Sequence, residues 1–167
     1  MKRRNFLAIL AAGSVVGACS NSKFKTYRGP AVTGIVVNKG DRDMFLLHNG
    51  KVLKSYKIDL GFAPAGDKQI EGDGKTPEGT YLIDRRNPNS KFHLSLGISY
   101  PNADDIAQAR ALGKSPGGDI FIHGQPNRLR KGNGQDDWTW GCIAVTNREM
   151  EDIYAMVRNG TPITINP

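Results

Sequence analysis

Hydrophobic and polar positions along this chain alternate in short runs rather than in long helical stripes. Runs rich in β-branched, aliphatic and aromatic residues occupy 33–38, 44–48, 52–60, 80–84, 92–99, 119–123, 142–146 and 162–166, and each predicts a strand. Gly, Asp and Asn gather between them, at Lys39-Gly40-Asp41, Asn49-Gly50, Gly72-Asp73-Gly74 and from Asn87 to Asn89. Asn49-Gly50 is the strongest hairpin signal, because a type I′ turn needs positive φ at both central residues. Two segments break the strand rhythm. A short helix is predicted over 103–112, with Asn102 as its cap and Gly113 as its terminator. A second begins at Thr146, where Thr146 and Glu149 form a capping box, and Met150, Ile153, Tyr154 and Val157 make one apolar face up to Gly160. The pattern describes a mainly β fold with two short helices.

The N-terminus follows a different rule. Met1 to Arg4 are basic, and an apolar run of 13 residues covers 6–18, the length of a signal-peptide core and too short to span a bilayer. Val16-Gly17-Ala18-Cys19 then resembles the bacterial lipobox, in which the cysteine becomes the lipid-bearing first residue. The expected division is a lipoprotein signal peptide at 1–18, a polar tether at 19–31 and a single domain at 32–167. On this reading the chain is periplasmic and held to a membrane through lipid on Cys19. Arg3-Arg4-Asn5-Phe6-Leu7 resembles the twin-arginine export motif, and the general secretory route fits equally well.

Composition narrows the classes. With 20 Gly and 9 Pro in 167 residues, and 38% apolar residues, the chain is neither low-complexity nor long enough for two large catalytic domains. The first 18 residues carry three of the 23 basic residues and none of the 16 acidic ones, so without them the net charge falls from +7 to +4. That excess is scattered, without an aromatic-interleaved basic stripe, and nucleic acid is not an expected partner. His48, His93 and His123 lack paired metal-ligand spacing, and Gly74-Lys75-Thr76 lacks the upstream glycine and following helix of a phosphate-binding loop. No metal or cofactor is expected.

Candidate chemistry lies in the last third. The run 119–123 delivers His123 to a strand end, where Gly124 lets the backbone turn. A polar loop over 126–137, containing Arg128 and Arg130, leads to Trp138-Thr139-Trp140-Gly141-Cys142 and the next strand. His123 and Cys142 are therefore expected at neighbouring strand ends, as a base and a thiol nucleophile, with the N–H groups of Gly141 and Cys142 open to a developing oxyanion. Two other readings fit Cys142 taken alone, a buried inert thiol and a disulfide with Cys19.

Ile122-His123-Gly124 and Thr139-Trp140-Gly141-Cys142-Ile143-Ala144, together with Gly74-Lys75-Thr76-Pro77-Glu78-Gly79-Thr80-Tyr81, resemble the L,D-transpeptidase catalytic domain. The resemblance covers roughly residues 32 to 167. It implies a β-sandwich-like fold, a nucleophile at Cys142, a base at His123 oriented by the carbonyl of Gly124, and peptidoglycan stem peptides as substrate. Trp140 stands where the family usually has His, and Ala144 where it usually has Arg. With Ser99-Tyr100-Pro101-Asn102, these departures are similar to a periplasmic subfamily that detaches the major outer-membrane lipoprotein from peptidoglycan. Thr139 and Trp140 are expected to meet substrate, and Arg128 and Arg130 to supply the cation that Ala144 lacks. Transfer and hydrolysis both remain open, as does a wall-binding module without catalysis.

Overall fold

The computed structural model describes residues 22–127 and 136–167. Eight strands form one sheet: β1 (Gly34–Asn38), β2 (Asp43–His48), β3 (Lys51–Lys57), β4 (Gly79–Asn87), β5 (Ser95–Ile98), β6 (Phe121–His123), β7 (Ile143–Ala144) and β8 (Pro162–Asn166). Their spatial order is β3-β2-β1-β8-β4-β5-β6-β7. β1 pairs with β8 and β6 with β7 in parallel, and the other pairs are antiparallel. After β3 the chain crosses to the far edge, where Asp59 bridges Ala144 and Gly61 bridges Thr139. The sheet thereby curls until its two ends meet, which agrees with the sandwich-like β fold expected.

Alternation explains the first half. In β1, Ile35 and Val37 face inward; in β2, Met44 and Leu46; in β8, Ile163 and Ile165, all essentially buried. Period-two side chains place each set on one face, and each buried aliphatic chain contributes roughly 1.5–3 kcal/mol. Asn49 and Gly50 have φ of 49° and 77°, the left-handed pair that closes the β2–β3 hairpin. β3 lies at the edge and carries Lys51, Lys54 and Lys57, charges that discourage pairing with another chain.

Both helices form where their caps predict. Helix α1 (Ala103–Ala111) begins at Asn102, whose side chain accepts the N–H of Asp104 and Asp105 while Asp105 returns a bond to the Asn102 N–H. Helix α2 (Asn147–Met156) carries the matching box between Thr146 and Glu149. It stops at Met156, earlier than the apolar stripe suggested, because Val157 turns extended at φ −92° and ψ 137°. Met150, Ile153 and Tyr154 bury its inner face against β5 and β6.

Four expected strands are clearly shorter: 119–123 keeps Phe121–His123 and 142–146 keeps Ile143–Ala144, and the other two shorten for identifiable reasons. The run 92–99 keeps only Ser95–Ile98 in strand, since His93 adopts φ 70° and the Phe92 carbonyl turns to accept the Gly124 N–H at 3.1 Å. The run 52–60 leaves β3 after Lys57 to reach β7. The stretch read as a tether is docked along its described part. Lys23 Nζ donates to the carbonyls of Pro88 (2.6 Å) and His93 (3.1 Å), Lys25 meets Asp152 at 2.8 Å, and Tyr27 packs on the core.

Candidate active site

The site forms where β6 ends and β7 begins. In the parallel β6–β7 pair, Ile122 lies opposite Ile143 and His123 opposite Ala144. Residues two apart share a face, so His123 and Cys142 stand on one face of adjacent strands, offset by two residues. With strands roughly 4.8 Å apart and about 3.3 Å per residue, their Cα atoms are about 8 Å apart.

His123 is 4% exposed. Its Nδ1 lies 2.7 Å from the Gly124 carbonyl, and because a carbonyl only accepts, Nδ1 carries the hydrogen and Nε2 keeps its lone pair. The ring packs against Phe92, at 4.5 Å between centroids, and Trp138, at 5.7 Å and edge-on, and those two rings touch each other at 6.0 Å. Burial lowers its pKa below the ordinary 6.5, against a smaller opposing effect of the Gly124 bond. Gly124 itself cannot be larger, since a Cβ there would lie 2.6 Å from Asn147 Oδ1 and 3.1 Å from the Phe92 carbonyl.

Cys142 is partly exposed, and its Sγ donates to the Asp119 carbonyl at 3.6 Å rather than to the imidazole. Burial of most of the side chain pushes the thiol up to about 11. A backbone bond from Phe121 and the cations Lys68 and Arg85 oppose that rise, and the Asp119 carboxylate adds to it. Thiol and imidazole are therefore both neutral at pH 7. Cys142 is free of any disulfide.

The turn before Cys142 is built without side chains at its tightest points. Gly141 has φ 117°, and a Cβ there would lie 2.5 Å from the Lys75 carbonyl; one at Gly61 would lie 2.0 Å from the Gly74 carbonyl and 3.0 Å from Gly141 Cα. Thr139 and Gly141 differ from expectation. Thr139 is buried, and its hydroxyl donates to the Cys142 carbonyl (2.7 Å) and accepts the Gly141 N–H (3.1 Å). The hydroxyl is thus occupied in shaping the turn, and the Gly141 N–H is engaged rather than open. The Cys142 N–H has no hydrogen-bond partner among the described residues. Trp140 is 73% exposed and packs edge-on against Phe62 at 4.9 Å, so it stands at the rim. Ala144 is buried between Asp59 and His123 in the ladder. Arg128, Arg130 and Cys19 lie outside the described residues.

A supporting layer was not anticipated. Asp59 Oδ2 accepts the Trp138 indole N–H at 3.1 Å. Arg42 grips Asp137 through Nε and Nη2 (2.9 and 2.6 Å), and Asp137 accepts the Leu60 N–H at 2.9 Å. Together they pin the segment that leads into the thiol turn. A lone carboxylate between Ile58 and Leu60, both buried, is the sequence signal that marks Asp59. Nothing comparable marks Phe92. Among the described residues no group of three metal-binding side chains occurs, and no helix is long and apolar enough to cross a membrane.

This geometry has known counterparts. The family model for the L,D-transpeptidase catalytic domain (YkuD) matches residues 32–165, and the chain belongs to that family. It is 35% identical over 109 residues to the putative L,D-transpeptidase YafK of Escherichia coli K12, a stretch covering 64% of this chain and 38% of that protein. Among solved structures it is similar to the K307A mutant of the helical cell shape determining protein Pgp2 from Campylobacter jejuni, at 31% identity and TM-score 0.63, over 83% of this chain and 48% of that one. Bd1075 of Bdellovibrio bacteriovorus follows at 26% identity and TM-score 0.57, over 81% and 48%. A C442S mutant of the Enterococcus faecium L,D-transpeptidase, at 18% identity and TM-score 0.51 over 81% of this chain and 50% of that one, shares the fold. The chain thus spans between about two fifths and half the length of these relatives.

Proposed function

We propose that this protein is a cysteine-dependent acyltransferase or peptidase of peptidoglycan stem peptides, acting at the carbonyl of the L-centre of meso-diaminopimelate. The observation that carries the reading is the tied imidazole: Nδ1–H held by the Gly124 carbonyl leaves Nε2 as an acceptor on the face where Cys142 stands. Neutral thiol and neutral imidazole call for base-assisted attack rather than a stored thiolate. His123 takes the proton of Sγ as the C–S bond forms, the Cys142 N–H faces the oxyanion, and the same proton passes to the departing amine as the C–N bond breaks. Water or a second amine then attacks the thioester, His123 accepts its proton, and the thiol is restored. Family membership supports the substrate class.

Cys142→Ser tests this directly. A stem tetrapeptide donor should be turned over by the native chain and form a thioester adduct by intact mass, and the variant should lose turnover by at least about 10³-fold with its fold kept. Activity within tenfold of native would overturn the reading, and binding without an adduct would favour a wall-binding module. We place the protein in the periplasm, lipid-anchored at Cys19, with peptidoglycan and its attached lipoprotein as partners. Cys19→Ala should move it from the membrane to the soluble fraction while activity on a peptide donor persists; retention on the membrane would refute the anchor.

A further inference from the structure

Arg85 reaches this site from a strand two places away. β4 and β5 pair Ile83 with Ile98 and next Arg85 with Gly97, so Asp84 is an extra residue on β4. A bulge of this kind re-aims the side chains that follow it. Gly97 is in turn opposite Phe121 on β6, and the β6–β7 register, continued one step from Ile122 and Ile143, brings Cys142 opposite Phe121. Arg85, Gly97, Phe121 and Cys142 therefore form one row across four strands, on the face that carries His123.

Gly97 lets the arginine cross that row. A Cβ there would lie 2.4 Å from Arg85 Cγ and 2.8 Å from Nε, so the side chain runs over the glycine and stacks its guanidinium on Phe121, 4.6 Å from the ring centroid. Nη1 is held by Asp84 at 2.9 Å and Nη2 by Asp119 at 3.2 Å. The Asp119 side chain is 91% exposed, while its backbone carbonyl holds the Cys142 thiol. An ion pair so exposed is weak and readily exchanged. A guanidinium fork held over an aromatic ring keeps donors available to a planar carboxylate.

We propose that Arg85 is the anion-binding residue of this site, taking in place of Asp119 the free carboxylate of the residue on the amine side of the scissile bond. The substrate part of this statement rests on the acyl-transfer reading above. The carboxylate then sits along the Phe121 row beside the thiol, which fixes the amine side of the bond relative to Sγ and selects leaving or entering groups that are amino acids.

Alkylation of Cys142 in the full chain by iodoacetate, with iodoacetamide as the neutral reference, separates the anion site from the substrate assignment. Arg85→Gln should lower the iodoacetate-to-iodoacetamide rate ratio about tenfold. Arg85→Lys should recover part of it, and Asp119→Asn, which removes the competing carboxylate, should raise it. A ratio unchanged in both Arg85 variants, with the fold intact by circular dichroism, overturns the proposal. In the second arm, a tetrapeptide donor is compared with its C-terminal amide. Native protein should prefer the free acid, and Arg85→Gln should abolish that preference chiefly through KM. Equal losses on both donors overturn the carboxylate assignment. If the alkylation ratio falls but neither donor is turned over, the anion site stands and the stem-peptide reading fails.

Discussion

The two flanks of the site differ in how firmly they are held. On the base side, His123 is buried, tied at Nδ1 and packed against Phe92 and Trp138, with Asp59 fixing the second ring. On the nucleophile side, the backbone of 139–142 is locked by glycine contacts and by Thr139, but the side chains beyond it are open: Trp140 is mostly exposed and Arg85 rests on an exposed partner. The base must present one nitrogen in one tautomer, which requires a dry and rigid cradle. On the proposed function the nucleophile is approached by a polymer, which an open rim allows. The proposed reaction asks for both in one cleft, and the neighbouring ends of β6 and β7 supply them.

The sharpest way to break this contrast is to remove the base. His123→Gln should lower kcat by about 10²–10⁴-fold, measured on a peptide donor, and leave the thiol accessible to alkylation. The same variant reads the burial of the ring. Because burial depresses the His123 pKa, the unfolded chain binds a proton below about pH 6.5 that the folded chain refuses, so stability falls as pH drops from about 6.5 toward the folded value. Denaturant melts should show that fall in native protein and a shallower one in His123→Gln. Equal slopes would mean that the ring is not desolvated in solution. For Cys142 the sign is opposite: its raised pKa predicts an alkylation rate that climbs through pH 8 to 10, without a plateau near neutrality.

The backbone lock is tested next. Gly141→Ala introduces a Cβ 2.5 Å from the Lys75 carbonyl at φ 117°, so overpacking and backbone strain add. A loss of roughly 2–4 kcal/mol is expected, read as a lower urea midpoint. Gly50→Ala, at φ 77° with open space around it, isolates the strain contribution at about 1–2 kcal/mol. If the two variants lose equally, the close approach of Gly141 to the Lys75 carbonyl adds no packing penalty to the backbone strain.

Much of this was legible from local pattern, and the rest was not for a physical reason. The alternation in 33–38, 44–48 and 162–166, the Asn49-Gly50 turn and both capping boxes act within a few residues, and each appears where the pattern put it. His123 and Cys142 were placed at neighbouring strand ends because each strand end is local too. What escaped depends on pairing between distant strands. The bulge at Asp84, the trough over Gly97 and the Asp59 to Trp138 bond exist only once β4 to β7 are in register. The bonds of the Thr139 hydroxyl were hidden for the same reason, since its acceptor is a backbone carbonyl and leaves no mark in side-chain type.

The smallest effect is expected at the open rim. Trp140, expected from the sequence to meet substrate, packs onto Phe62 and leaves most of its indole to solvent. Trp140→Ala removes one edge-to-face contact, worth about 0.5–1.5 kcal/mol when buried and less here, so the melting midpoint should barely move. Its consequence should appear in binding. If the indole is a surface on which the incoming peptidoglycan rests, KM rises about three- to tenfold while kcat changes less, because contacts made equally in ground and transition states affect KM. Steady-state kinetics on a peptide donor, and on peptidoglycan fragments that reach the rim, measure this. A fall in kcat with KM unchanged would place Trp140 with His123 on the rigid flank, and the division between a dry base side and an open nucleophile side would have to be redrawn through the indole.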